Sequence, residues 1–135
     1  MTKAFHSIHT HGFVRAAVCT PAVLPGDPGF NAAETLRLAK QGDVESCDLM
    51  LFPELGLSAY AIDDLFLQEA LLKRVEAEIA GLVKATAALA PVLLVGAPLA
   101  LNGRLYNCAV VIARGRILGV VPKSFLPNYR EYYEK

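Results

Sequence analysis

The sequence has no excess of either charge and no cluster of basic residues. Its 13 Lys and Arg residues balance 13 Asp and Glu residues, which gives a formal net charge of zero. Nucleic acids and anionic membranes attract concentrated positive surfaces, so neither is an expected partner. Cysteine is scarce, and an odd count of three widely spaced residues argues against a disulfide framework and for a cytoplasmic location.

Long uninterrupted apolar stretches are also missing. The longest, residues 87–101, is broken by two prolines and a glycine and is too short to span a bilayer. The first residues lack the apolar core of a signal peptide, and no glycine-rich phosphate loop is found. His6, His9 and His11 have no Cys, Asp or Glu close by in sequence, which favours a tail or short docking segment over a metal site.

The sequence is instead rich in apolar residues, which make up 54% of the chain. This exceeds what a small autonomous domain needs to bury. It predicts a sheet covered on both faces, an oligomer interface, or a further part of the domain that covers exposed apolar surface.

Apolar runs bounded by turn signals predict five strands. The predicted strands are residues 13–20, 47–52, 92–97, 104–113 and 116–121. Asn102-Gly103 is a signal for a tight hairpin turn, and Arg114-Gly115 is a second turn. The last three strands are therefore expected to follow one another through short turns.

Two amphipathic helices are predicted between the first three strands. The first begins at Asn31 as N-cap, because Glu34 follows at the spacing of a capping box. The second begins near Asp63 or Asp64 and carries an apolar stripe with helical periodicity. The resulting order β-α-β-α-β-β-β indicates an α/β layered domain.

Two predicted strands end in single charged residues of opposite sign, Glu54 and Lys123. Ligands of α/β sheets tend to bind beyond the carboxyl ends of the strands. A buried Glu–Lys pair in that position can handle protons, and a thiol would be the partner needed to attack an amide. The alternative is that Glu54 is a solvated acid at the start of a loop.

Several segments together resemble the nitrilase, or carbon–nitrogen hydrolase, superfamily. They are Phe52-Pro53-Glu54-Leu55 with Ser58-Ala59-Tyr60, Leu94-Val95-Gly96-Ala97-Pro98, Tyr106-Asn107 with Ala109-Val110-Val111-Ile112, and Lys123-Ser124-Phe125-Leu126-Pro127 with Tyr129-Arg130-Glu131. The resemblance implies an α-β-β-α sandwich, of which this chain is the N-terminal part, and a Glu-Lys-Cys triad.

The same resemblance implies roles for individual residues. Glu54 is the general base, and Lys123 stabilises the tetrahedral intermediate. Glu131 is a second acid that positions the lysine. Tyr129 contacts the substrate, whereas Tyr60 either helps to close the pocket or is an ordinary wall residue.

The nucleophile of the triad is not assigned to any residue of this chain. In the family it lies downstream of the lysine, whereas Cys19, Cys47 and Cys108 all precede Lys123 in strand-like runs that disfavour a thiolate. No metal is implied. Family members usually have glycine where Ala59 stands, so a differently shaped turn is expected there.

Within the family, residues 1–135 resemble the N-terminal part of a glutaminase domain that supplies ammonia to a synthetase domain. Glutamine is the implied substrate, and the glutaminase step needs no cofactor. ATP, Mg²⁺ and nicotinic acid adenine dinucleotide belong to the synthetase domain, which this sequence lacks. A homo-oligomer is expected for the intact enzyme, and the chain alone is expected to be inactive. The alternatives are a nitrilase-branch amidase that acts on a small amide, and a catalytically dead binding module.

Overall fold

A computed structural model describes residues 5–129 and 132–133 of the chain. Its two helices are α1 (Pro28–Val44) and α2 (Glu69–Ala85). The strands, in chain order, are β1 (Ala16–Val18), β2 (Leu49–Leu51), β3 (Val92–Leu101), β4 (Arg104–Ala113), β5 (Arg116–Pro122), β6 (Asn128–Tyr129) and β7 (Tyr132–Tyr133). The predicted order β-α-β-α-β-β-β is confirmed, and a small hairpin of β6 and β7 follows it.

The first five strands form one mixed sheet in the order β1-β2-β3-β4-β5. β1, β2 and β3 are parallel, whereas β4 is antiparallel to both β3 and β5. The two antiparallel connections are the predicted turns Asn102-Gly103 and Arg114-Gly115, in which every residue has positive φ. Such turns match the twist of the strands that they join. Since β5 runs in the same direction as β2 and β3, these three strands end at the same edge of the sheet.

Both helices pack on one face of this sheet and form the core with it. Alternate residues of β3 point to this face and are fully buried, namely Leu93, Val95 and Ala97. The facing side of α2 carries buried residues at helical spacing, namely Val75, Ile79 and Leu82. Burial of these apolar side chains fixes the layers against each other.

Much of the opposite face of the sheet is apolar and open in the part of the chain that the structure describes. In β2, Met50 points to the helices, whereas its neighbours Leu49 and Leu51 are 38% and 46% exposed. The strand register places Val18 of β1 and Val121 of β5 on the same open face. The sheet is therefore not covered on both faces within these residues, and that explanation of the apolar content is wrong for them.

Helix α1 begins at Pro28, three residues before the predicted cap. The side chain of Asp27 accepts a hydrogen bond from a first-turn N–H at 3.0 Å, and Pro28 follows, where its missing N–H is tolerated. Asn31 lies inside the helix and is 2% exposed. Its side chain hydrogen-bonds both backbone groups of Leu24 and the carbonyl of Leu57. The prediction of Asn31 as cap is wrong, because this asparagine serves a tertiary network.

Helix α2 begins later than predicted. Asp63 and Asp64 lie in a short 3₁₀ helix, Asp63–Leu67, and α2 starts at Glu69 after Gln68. Asp63 has a φ of 43°, in the left-handed region, and is too far from the first turn of α2 to cap it. The prediction that either aspartate caps α2 is therefore wrong. Of the helices that the structure describes, none is long and apolar enough to cross a membrane.

The histidine-containing segment near the start of the chain contacts Asp48, which directly precedes β2. It forms a 3₁₀ helix, Ile8–His11, and Nδ1 of His9 lies 3.7 Å from Oδ2 of Asp48. The same aspartate oxygen accepts a hydrogen bond from the backbone of Arg15 at 2.7 Å. Within residues 5–129 and 132–133, no group of three or more His, Cys, Asp and Glu side chains could hold a metal ion.

Candidate active site

Glu54 and Lys123 follow strands that end at the same edge of the sheet. Glu54 comes three residues after β2, and Lys123 comes directly after β5. Because β3 and β4 lie between these strands, spacings of about 4.8 Å would leave the two strand ends about 14 Å apart. The loop that follows β2 closes this gap by crossing over β3.

The two side chains meet in a direct ion pair. Nζ of Lys123 lies 2.5 Å from Oε1 of Glu54. Asn107 of β4 donates a hydrogen bond from Nδ2 to the same oxygen at 2.6 Å. The backbone N–H of Lys123 in turn bonds the carbonyl of Asn107 at 2.8 Å. The structure therefore brings together the two residues selected from the sequence and adds an asparagine to them.

This pair is only partly shielded from solvent. The side chains of Lys123 and Glu54 are 29% and 44% exposed. The expectation of a buried pair is wrong for the described residues, because the pair lies on the open side of the sheet. Asn107 identifies this side of the sheet. It pairs with Pro98 of β3, and both residues lie on the face that points away from the helices.

Gly96 of β3 allows the loop to cross the sheet closely. A Cβ at this position would lie 2.9 Å from the carbonyl carbon of Glu54, 2.5 Å from the backbone nitrogen of Leu55, and closer still to the carbonyl oxygen of Pro53. The N–H of Leu57 also bonds the carbonyl of Gly96 at 3.1 Å. The absence of a side chain at Gly96 therefore sets how closely Glu54 approaches the sheet.

The other side of the loop is held by α1 and by the segment that precedes it. Nδ2 of Asn31 donates to the carbonyl of Leu57 at 3.1 Å, and the N–H of Gly26 donates to the carbonyl of Ser58 at 2.9 Å. Ser58 is fully buried, and its hydroxyl bonds the carbonyl of Leu55 at 3.1 Å. The backbone around Glu54 is thus fixed from both sides.

The loop contains residues in the left-handed region of φ. Leu55 has a φ of 51° and Ala59 has a φ of 72°. For residues with a Cβ this conformation costs about 1–2 kcal/mol each. Ala59 therefore occupies a backbone conformation suited to glycine.

None of the three cysteines is placed to act as the nucleophile. Cys19, Cys47 and Cys108 are free and buried. Burial raises the pKa of both Cys19 and Cys108. The nearby Cys47 is a second, smaller cause of the raised pKa of Cys19. Cys108 directly follows Asn107 in β4, so its side chain points to the opposite face of the sheet. The thiols of Cys19 and Cys108 are therefore poorly suited to form thiolates.

The structure says less about the other predicted site residues. Tyr60 is partly buried and ends the loop that carries Glu54. Tyr129 lies in β6, where its backbone pairs with Tyr132 of β7. Glu131 lies outside the described residues.

Asn107 belongs to one of the segments that resemble the family, but the sequence predicted no role for it. The signal that could have identified it is its position. In β4 it is an amide among apolar residues. It lies on the face of the strand opposite to the buried Cys108 and Val110. Strand order and direction, which a single sequence does not give, were needed to see that this position faces Glu54.

The chain matches the family named carbon-nitrogen hydrolase over residues 15–134, and it belongs to that family.

Among individual proteins, the chain is similar to glutamine-dependent NAD(+) synthetases. It is 53% identical over 131 residues to the enzyme of Mycobacterium tuberculosis and 50% identical over 131 residues to that of Mycobacterium leprae. These matches cover 97% of this chain and 19% of each relative, so the chain spans about a fifth of their length.

Solved structures agree with the fold. The glutamine-dependent NAD(+) synthetase of Cytophaga hutchinsonii has a TM-score of 0.82 at 22% identity, over 89% of this chain and 20% of that one. The Acinetobacter baumannii enzyme in complex with ADP has a TM-score of 0.73 at 29% identity, over 85% of this chain and 22% of that one. An amidase from Nesterenkonia sp. has a TM-score of 0.70 at 18% identity, over 86% and 44% of the two chains. The predicted nitrilase-like fold is confirmed.

Proposed function

We propose that residues 1–135 are the N-terminal part of the glutaminase domain of a glutamine-dependent NAD synthetase. The observation that carries this proposal is the ion pair of Glu54 with Lys123, at 2.5 Å, on a chain that is 53% identical to such an enzyme over 131 residues. The intact protein would hydrolyse glutamine and use the ammonia for NAD synthesis.

In this proposal Glu54 is the general base and Lys123 stabilises charge. Glu54 removes the proton from a cysteine thiol supplied by the rest of the domain, and the thiolate attacks the side-chain amide carbon of glutamine. The ammonium group of Lys123 stabilises the oxyanion that forms. Glu54 then returns the proton to the leaving ammonia, and water hydrolyses the resulting thioester to glutamate.

The rest of the domain would also cover the open face of the sheet. An α-β-β-α sandwich packs two sheets face to face at about 10 Å, with apolar side chains between them. The exposed Leu51, Val18 and Val121 lie where such a second sheet would pack. The same packing would shield Glu54 and Lys123 from solvent.

The remaining residues and partners of the proposal come from the family resemblance. Tyr129 would contact glutamine, Tyr60 would line or close the pocket, and Glu131 would position Lys123. The glutaminase step would need no cofactor. ATP, Mg²⁺ and nicotinic acid adenine dinucleotide would bind the synthetase domain of a cytoplasmic homo-oligomer.

A hybrid enzyme tests this function directly. In it, this chain replaces the matching 131 residues of the Mycobacterium tuberculosis enzyme, which then supplies the thiol and the synthetase domain. We expect the hybrid to form NAD with either glutamine or ammonium as nitrogen source. Glu54→Gln and Lys123→Ala should each lower only the glutamine-supported rate, by about 10²–10⁴-fold. Lys40→Ala, an exposed lysine of α1, is the control and should change neither rate.

The two nitrogen sources separate loss of function from loss of fold. A hybrid that uses ammonium but not glutamine would refute the proposal, because its synthetase domain is then folded. Full glutamine-supported activity after Glu54→Gln would refute the role of the carboxylate. Hydrolysis of small amides without use of glutamine would favour the amidase alternative.

A further inference from the structure

The amide of Asn107 is the third group at the Glu54–Lys123 pair. Its Nδ2 lies 2.6 Å from Oε1 of Glu54, and Nζ of Lys123 lies 2.5 Å from the same oxygen. Among the residues that the structure describes, all hydrogen bonds to this carboxylate fall on Oε1. The two donors therefore leave Oε2 as the oxygen that can exchange a proton.

The two donors differ in how firmly they can hold the carboxylate. Lys123 lies just beyond the last paired residue of β5, and its long side chain has many rotamers. Asn107 lies within β4, where it is paired with Pro98 of β3, and its side chain has only two rotatable bonds. An amide also keeps its donor at every pH, whereas the ion pair depends on charge. Asn107 is therefore a restraint on Glu54 that is fixed within the sheet and does not depend on charge.

The residues next to Asn107 on this face of β4 are apolar. The same-face neighbours of Asn107 towards the strand end are Ala109 and Val111, which are apolar. An amide carries a desolvation cost that an apolar residue would avoid, and this cost is offset by its bond to a charged acceptor.

We propose that Asn107 is a positioning residue for Glu54. By holding Oε1, it orients Oε2 towards the thiol, both when Glu54 removes the proton and when it returns the proton to ammonia. This inference rests on the proposed glutaminase function, and Asn107 itself makes and breaks no bond.

The first test is a titration of Glu54 in the full chain by ¹³C NMR of labelled glutamate carboxyl groups. Glu54→Gln identifies the signal of Glu54 by its loss. Asn107→Ala removes the donor, and Asn107→Asp keeps the shape of the side chain but replaces the donor by a carboxylate. Both variants should move the midpoint of the Glu54 titration to higher pH, with the larger shift in Asn107→Asp. Arg104→Ala, at the exposed start of β4, should leave it unchanged.

The second test measures kcat/KM for glutamine in the hybrid enzyme. Asn107→Ala should lower it about tenfold, the loss expected for one hydrogen bond to a charged group. The decrease in kcat/KM should come from a lower kcat. The acid limb of the pH–rate profile should move to higher pH. The ammonium-supported rate should not change. A merely structural role would leave the acid limb in place.

The outcomes separate this inference from the proposed function. Unchanged titration midpoints in both Asn107 variants would overturn the inference. So would altered midpoints with an unchanged pH–rate profile for glutamine. The proposed function fails by a different result, full glutamine use by Glu54→Gln. If Asn107→Ala fails to fold, the isosteric Asn107→Asp gives the same tests.

Discussion

Replacement of Gly96 by alanine should displace Glu54 while leaving every residue of the ion pair in place. The added methyl group would lie 2.5 Å from the backbone nitrogen of Leu55, where ordinary van der Waals contact begins at 3.4 Å. The loop or the strand must therefore move by at least about 0.9 Å, because the carbonyl oxygen of Pro53 is closer still. Because the obstructing atoms are backbone, no side-chain rotation relieves the clash.

Two effects of different size follow from this displacement. Overpacking of this kind costs about 1–3 kcal/mol in the free energy of unfolding. A shift of about 0.9 Å away from β4 would also lengthen the 2.6 Å bond between Asn107 and Glu54 to about 3.5 Å, the limit of a hydrogen bond. Misplacement of a catalytic group by about 1 Å can lower a rate about 10²-fold. We therefore expect a moderate loss of stability and a large loss of glutamine use.

Gly119→Ala provides a control in the same sheet. A Cβ at Gly119 of β5 would have no atom within 4 Å, and this glycine has no positive φ. Gly119→Ala should therefore alter the free energy of unfolding of the full chain by less than about 1 kcal/mol, with stabilisation the expected sign. Urea unfolding of the full chain measures stability, and the ratio of glutamine- to ammonium-supported NAD formation in the hybrid measures the site. Equal behaviour of the two alanine variants in both assays would refute the argument.

Three further predictions concern stability and thiol chemistry. Asn31→Ala leaves three backbone groups without their buried partner, and urea unfolding should show a loss of about 3 kcal/mol; a loss below 1 kcal/mol would contradict the network. Ala59→Gly removes the strain of a left-handed backbone conformation and should raise the free energy of unfolding by about 0.5–1 kcal/mol. As a control, Ala33→Gly on the exposed side of α1 should lower the free energy of unfolding by about 1 kcal/mol. Because burial raises the pKa of Cys19 and Cys108, less thiolate is present at pH 8, and a disulfide reagent should label them in the native chain far more slowly than in urea. Equal labelling rates in the two states would show that these thiols are accessible.

Elements defined by local signals were predicted well from the sequence. The bounds of β4, Arg104–Ala113, were predicted correctly, because a two-residue turn sits at each end. β3 extends four residues beyond its predicted end at residue 97, since the hairpin pairs Leu101 with Arg104 across the first of these turns. The turn chemistry therefore located the hairpin more accurately than the apolar run did.

Features that depend on distant residues could not be predicted in the same way. Asn31 has the residue type and spacing of a cap, but its partners Leu24 and Leu57 lie on other segments, so Asp27 caps the helix instead. The proximity of Glu54 and Lys123 follows from strand order and from the loop over Gly96, neither of which is encoded locally. The roles of the paired residues stay predictions that the hybrid enzyme can test.

The contacts within the site join residues at very different separations in sequence, and this difference has a consequence for folding kinetics. Asn107 and Lys123 belong to a meander joined by two tight turns, so their mutual contact closes a short stretch of chain. Glu54 is 53 residues from the first and 69 from the second, and its contacts close much longer loops. Short loop closures have the smaller entropic barrier and are faster. We expect the amide and lysine to be aligned early on the folding pathway, with the docking of Glu54 over Gly96 as the late event that completes the site.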